Sequence, residues 1–443
     1  MIYNLVLLIA VLLILILAVS RWKMHPFMAL LLAALMLGLS LGMGGAETVE
    51  VVLQGFSNTL KWIAVVVILG AFIGEVLRET RGALRISDWV VKWVGERKLP
   101  WAMGITGYLV SIPVFVDVAY IVLQPVTEAL AVRTKKPILV VGLALTAGLT
   151  VSHTLIPPTP GPLAVASLLE ADIGRLLLIN AFVGCLAMIG GIYWAITYVK
   201  KYRLDYDDQL ASQQQLVAEL PPESDPKQSV LLDLLPILVP IVLMGLGAFY
   251  KSRDGFLGGL IGLISTPMMA VLIGAAIAWL QFHRSKSKTT SNQLVEQAII
   301  KSALVIMITG AGGAFGFVIR ESGIQDNLAA FFVDLPFLGF LLPFLVAAIL
   351  TTATGSITVS LIGTASIMGP MAGSMPYSPE MMAALIGCGS FCVFHANSSF
   401  FWLLNRLHEV PVATLYRTYT TQSLVMAISG LIGVAILWLL GVH

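Results

Sequence analysis

The chain is predicted to be an all-α, polytopic membrane protein built from two inverted-topology repeats. Three observations carry this. The sequence is 58% hydrophobic and only 11% charged, where a soluble domain is about 25% charged. Apolar runs long enough to span a bilayer, about 18 residues or more, recur from end to end. A signature also recurs at fixed spacing. Val76-Leu77-Arg78-Glu79-Thr80 returns as Val318-Ile319-Arg320-Glu321-Ser322, and His153 returns as His395, both at an offset of 242. Two apolar halves with one internal ruler mark a transporter made of structural repeats, whose substrate site lies where the repeats meet.

Taken in order, the first half, 1–199, contains apolar crossings at 2–20, 25–42, 59–77, 138–170 and 174–199. The first has no basic leader and no small-residue cleavage site, and Arg21 and Lys23 follow it. It is therefore expected to be a retained helix with its N-terminus outside. The polar stretch 200–228 reads as a cytoplasmic linker. The second half, 229–443, has crossings at 229–250, 257–282, 297–319, 379–407 and 418–440, making ten in all. Two further apolar stretches, 99–133 and 336–375, are interrupted by Ser, Pro, Gly and Thr. Each fits a re-entrant hairpin, and a pair of full crossings in each is the alternative. Segments 83–97 and 324–334 mix apolar with charged residues and suit the membrane interface, as do Trp89 and Trp93.

Charge bias orders these elements. Arg21 and Lys23, the Arg78–Lys98 group, Arg133 to Lys136, Lys200 to Arg203, Arg284 to Lys288, Arg406 and Arg417 all fall on the cytoplasmic side. Both termini are then outside. The third crossing and its mate at 297–319 run in opposite directions, so the repeats are inverted. Arg320 falls outside, against the bias, where it is placed to attract an anion toward an outer vestibule; otherwise the two Arg-Glu pairs read as helix ends.

Several classes of function are excluded. A net charge of +2 without a basic, aromatic-interleaved patch points away from nucleic acid. Cys185, Cys388 and Cys392 sit in apolar runs without metal-type spacing. There is no phosphate loop, no HExxH and no nucleophile-base-acid set, so neither an enzyme nor a bound cofactor is expected.

The residues that carry chemistry cluster at the interruptions. His153-Thr154-Leu155-Ile156-Pro157-Pro158-Thr159-Pro160-Gly161-Pro162 holds four prolines, which cannot all continue a helix. The crossing must break at membrane depth, where broken backbone is tolerated only in a protein-lined cavity. A helix restarting near Leu163 would aim its N-terminal dipole at the break and favour an anion. The mate, His395-Ala396-Asn397-Ser398-Ser399-Phe400, has no proline but offers amide and hydroxyl groups. In the first interrupted stretch, Ser111-Ile112-Pro113-Val114-Phe115-Val116-Asp117 places an acid among apolar residues. A charge there costs about 2.5–3.5 kcal/mol, which makes Asp117 a functional candidate and a proton carrier. In the second, six hydroxyls lie within the ten residues Thr351–Ser360 around Gly355. The substrate set is thus Ser111, His153, Thr154, Thr159, Gly161, Thr354, Gly355, Ser356, Thr358, His395, Asn397 and Ser398. Asp117 and His153 are the proton-coupling pair, with sodium as the rival ion.

These motifs in this order, followed by Glu170-Ala171-Asp172-Ile173-Gly174, resemble the gluconate permease family of gluconate:proton symporters, part of the wider ion-transporter superfamily. The resemblance covers essentially the whole chain. It implies proton-coupled uptake of aldonates or other small hydroxy acids, D-serine and glycerate among them, across the bacterial inner membrane. The superfamily implies a scaffold and a mobile transport domain, a homodimer, and elevator-like movement. Two positions depart from the family, which commonly carries His where this chain has Thr159 and Phe where it has Val116. Both lie beside the expected site and bear on the substrate more than on the mechanism.

Overall fold

The computed structural model describes residues 2–202, 229–249, 255–285, 289–322, 336–396 and 398–442. Among them it is helical, with no strand. The first half holds α1 (Ile2–Ser20), α2 (Pro26–Ser40), α3 (Gly45–Glu79), α4 (Gly82–Val94), α5 (Leu99–Val110), α6 (Val116–Arg133), α7 (Ile138–Leu155), α8 (Pro160–Leu169) and α9 (Ile173–Thr197). The second holds α10 (Val230–Phe249), α11 (Gly255–Ile264), α12 (Pro267–Arg284), α13 (Ser291–Glu321), α14 (Pro336–Thr354), α15 (Ile357–Met368), α16 (Pro379–Ser390), α17 (Ser399–Leu407) and α18 (Thr421–Leu439). Most of the 200–228 linker, the 324–334 segment and Asn397 lie outside the described residues.

Local chemistry sets the starts of these helices. Pro sits in the first turn of α2, α8, α12 and α16, where its missing N–H costs nothing. The Asp172 carboxylate accepts from the Arg175 N–H at 2.8 Å to start α9. Thr290 and Gln293 form a capping box at the head of α13. Serine side chains cap α15 (Ser356) and α16 (Ser378).

Two expected boundaries move. The crossing at 59–77 belongs to a helix of 35 residues that begins at Gly45. Its first turns carry Glu47, Glu50, Gln54, Ser57 and Asn58, so hydropathy alone starts it too late. The expected crossing at 257–282 is two helices, α11 and α12, bent by 71° where Pro267 cannot continue the hydrogen-bond ladder. Among the described residues, the runs Ile138–Leu169, Ile173–Lys201, Ser291–Glu321 and Val412–Leu439 are each long and apolar enough to cross a bilayer. The stretch 83–97 is α4, which leaves Trp89 and Trp93 exposed and stacked at 6.3 Å. From its other face the buried Arg85 reaches both carboxylate oxygens of Asp233 on α10, each at 2.6 Å.

Helices related by the offset of 242 pack against each other in antiparallel pairs. In α3 and α13, Gly55 faces Phe317, Thr59 faces Gly313, Glu75 meets Lys301, and Arg78 donates to Gln297 at 3.0 Å. In α9 and α18, Trp194 donates to Thr421 at 3.0 Å, while Gly191 abuts Met426 and Val183 abuts Gly433. As one index rises the other falls. Small residues let the backbones approach, as membrane helices require.

The hub is α7. All of its residues except His153 are buried, as expected of a helix that is apolar all round. It is wrapped by α5, α6 and α9. Its closest approach is to α5, where a Cβ on Gly148 would collide with the Gly104 carbonyl. The interrupted stretches resolve as α5 with α6 and as α14 with α15. At the second, Ser360 donates to the Ala347 carbonyl at 2.7 Å across thirteen residues. A straight helix would separate them by roughly 20 Å, so the chain doubles back at Gly355. The 138–170 stretch breaks at 156–159 and restarts at Pro160. The 379–407 stretch breaks at 391–398, between α16 and α17.

Candidate functional site

Three of the four interruptions lead to one cavity of about 210 Å³, whereas Pro158, Thr159 and Pro160 of the Pro-rich break line a separate, smaller pocket with Gly70 and Pro113. Phe115, Val116 and Asp117 enter it from the head of α6, and Thr150 and His153 from the last turns of α7. Gly355, Ser356, Ile357 and Thr358 come from the α14–α15 tip. Phe394, Ser398 and Phe400 come from the α16–α17 break, and Tyr419 from a π-helical turn before α18. The size suits a small organic molecule.

The electrostatics are set by helix ends. Phe115, Ser356 and Ser398 are the N-caps of α6, α15 and α17, and all three line the cavity. Three helix N-termini thus converge there, and their dipoles favour negative charge. Among the described residues no Lys or Arg lines the cavity, and Asp117 is the only carboxylate that does. Among the described residues no cation lies within ion-pair distance of Asp117. The buried His153 Nδ1 has no protein hydrogen-bond partner, and its ring lies 5.7 Å from that of Phe115.

The expected residues divide. Asp117, His153, Gly355, Ser356, Thr358 and Ser398 are brought together. The others build walls. Ser111 donates to the Val114 carbonyl at 3.1 Å and holds the turn before α6. Thr154 donates to Thr150 at 2.6 Å, and Thr159 donates to the Ile156 carbonyl. Gly161 abuts Leu361, where a side chain would clash. Thr354 donates to Leu350 at 2.7 Å and accepts from the Ser356 N–H. His395 reaches the Thr352 carbonyl through Nε2 at 2.9 Å and ties the α16–α17 break to α14. A break frees backbone groups, and nearby hydroxyls satisfy those groups before any ligand does. Of the two departures from the family pattern, Val116 lines the cavity and Thr159 does not.

Sequence reasoning missed Thr150, Phe394, Phe400 and Tyr419. Thr150 lies one helical turn before His153, a spacing that was there to be read. Tyr419 gave no signal, because a π-turn inside an apolar helix reorients its side chain without a Pro or Gly to mark it.

A second cavity, of about 270 Å³, lies at the far ends of α8 and α15. Arg320 and Glu170 on its rim pair at 2.8 Å, so Arg320 closes on the protein's own carboxylate. The C-termini of α8, α13 and α15 border it, and their dipoles disfavour an anion.

Comparison with known proteins follows the same lines. The chain is 35% identical over 408 residues to an uncharacterised permease of Haemophilus influenzae, covering 89% of this chain and 83% of that protein. It is 30% identical over 432 residues to a gluconate permease of Pseudomonas aeruginosa, covering 96% and 95%. Its fold matches the crystal structure of the Alcanivorax borkumensis YdaH transporter with a TM-score of 0.68 at 15% identity, over 94% of this chain and 99% of that one. Residues 3–440 match the family model for GntP family permeases, so the chain belongs to that family of membrane transporters and is not an enzyme.

Proposed function

We propose that the chain imports a small hydroxylated carboxylate, gluconate first among them, by proton symport. The observation that carries this is a cavity bordered by three helix N-termini where, among the described residues, Asp117 is the only carboxylate and no Lys or Arg lines the wall. A substrate carboxylate about 5 Å from an ionised Asp117 would be repelled by about 3 kcal/mol at an effective dielectric near 20. A proton on Asp117 removes that repulsion, so anion and proton favour each other's binding. That mutual dependence is coupling. Ser356, Thr358, Ser398 and Tyr419 offer hydroxyls to a polyol chain. His153, which lines the cavity, offers its ring to the carboxylate or a hydroxyl.

The antiparallel pairing of α3 with α13 and of α9 with α18 supports inverted repeats. Such repeats give inward-open and outward-open states of similar energy. We read the exchange between them as an elevator-like shift of the cavity-bearing helices, in a homodimer of the bacterial inner membrane with both termini outside.

Uptake into proteoliposomes tests the reading with gluconate, glycerate and D-serine, under an imposed pH gradient with and without sodium. Gluconate accumulation on an acid-outside gradient without sodium is expected. Accumulation only with a sodium gradient would replace the proton by sodium. A preference for D-serine or glycerate would reassign the substrate. No accumulation of any of the three under either gradient would overturn the reading.

A further inference from the structure

Behind the cavity, α6 carries polar side chains that the transport reading does not use. Tyr120, Gln124 and Glu128 follow Asp117 at intervals of three and four residues, along one face of the helix. Tyr120 (0% exposed) and Glu128 (6%) are buried, as is His408 (1%), which follows α17. The Tyr120 hydroxyl and His408 Nε2 are 2.8 Å apart. On the other edge of the ring, His408 Nδ1 lies 3.3 Å from Glu128 Oε1, and the Gln124 amide donates to that same oxygen at 3.1 Å. Gly142 of α7 makes room for the pair, since a Cβ there would come within 2.5 Å of the Tyr120 oxygen.

A buried carboxylate facing a buried imidazole holds one proton as a neutral unit, and a second proton makes the unit cationic. The other charged or titratable groups on the helices packed against α6 are Arg85, Asp88 and Lys92 on α4, Tyr108 on α5 and His153 on α7. Arg85 is committed to Asp233 and His153 opens into the cavity. Arg406 and Glu409 flank His408 in the chain. The line from the pair to the cavity is short. The Tyr120 ring packs edge-on against Phe400 at 5.3 Å, and Phe400 lines the cavity.

We infer that Glu128 and His408 form a second protonation site, which takes up a proton when an anion occupies the cavity. The inference rests on the proton-coupled reading above. Its logic is charge balance. Substrate and Asp117 bring two negative groups to a place where no described residue is Lys or Arg, and one proton on Asp117 leaves the substrate's charge uncompensated. A proton taken up by the neutral pair supplies the missing positive charge from beyond Tyr120, whose hydroxyl lies 2.8 Å from His408 Nε2. The proton adds to the Glu128 carboxylate while His408 keeps its own, and no bond between heavy atoms changes.

Two measurements test this separately from transport itself. In the first, the infrared carboxylic-acid C=O stretch of the purified protein is followed as pH is varied, without substrate. A component that disappears in Glu128→Gln and shifts its midpoint by about one pH unit or more in His408→Gln is expected. The same component unchanged in both variants overturns the inference. Should Glu128→Gln fail to fold, Tyr120→Phe decides, because it keeps the ring and removes the partner of Nε2; an unmoved midpoint there overturns the inference. The second measurement uses proteoliposomes and gluconate. Glu128→Gln should keep counterflow exchange while its accumulation at a pH gradient of about one unit falls about tenfold, the effect of one lost proton. Wild-type accumulation by this variant at every external pH overturns the inference. Failure of the wild type to accumulate gluconate would instead strike the transport reading, and the infrared titration would still decide on the pair.

Discussion

Asp117 at the head of α6 and His153 at the foot of α7 open into the same cavity, although 36 residues separate them in the chain. Among the described residues no cation lies within ion-pair distance of Asp117, and His153 borders the same space.

Asp117→Asn removes the ionisable group and keeps its shape. Uphill accumulation on a pH gradient should disappear while exchange of substrate across the membrane survives. Proteoliposome uptake beside counterflow measures both, and full uphill uptake by the variant would remove Asp117 from coupling.

His153→Ala removes a ring that lines the cavity. A hydrogen bond to a charged ligand is worth about 1.5–3 kcal/mol, so the apparent KM should rise roughly 10- to 100-fold. His395→Ala should change KM far less, because its ring is spent on the Thr352 carbonyl. Equal effects of the two substitutions on KM would contradict the assignment.

Gly313→Val inserts methyl groups against Thr59 and the Gly55 carbonyl, where α3 and α13 are closest. Overpacking of this kind costs about 1–3 kcal/mol. Thermal unfolding in detergent should show a lowered midpoint. The same substitution at Gly259, where a Cβ meets nothing within 4 Å, should leave it unchanged.

Asp233→Ala strands the buried Arg85 guanidinium. Breaking a buried pair from one side costs about 3–5 kcal/mol, whereas replacing both partners by apolar residues can be neutral. Expression and thermal stability should therefore fall in Asp233→Ala and recover in Arg85→Met combined with Asp233→Leu. A double variant as unstable as the single one would show that the pair does more than fill a packed interface.

The all-α class with apolar, membrane-length helices, the places where the 138–170 and 379–407 stretches break, and the return of the chain at Gly355 were legible in the sequence. They follow from hydropathy and from proline's missing donor, and these act on short stretches of chain. The antiparallel seating of α3 on α13 also has a sequence trace, because the offset of 242 marks the helices as mates. Which polar groups line the cavity was legible only in part. Thr358 and Ser398 were expected there and line it, while Tyr419 lines it without having been expected. Ser111, Thr154, Thr159 and Thr354 sit at the predicted breaks, yet each donates to a nearby backbone carbonyl. A hydroxyl's partner is settled by which carbonyl lies within about 3 Å of it, and at a break that depends on how separate helices pack. The Tyr120–His408–Glu128 chain makes the same point, since two of its members share a helix and the third arrives from 280 residues further on. Composition and periodicity determined what kind of machine the chain makes and where it breaks. Only the packing of α6, α7, α15 and α17 decided which side chains look into the space those breaks enclose.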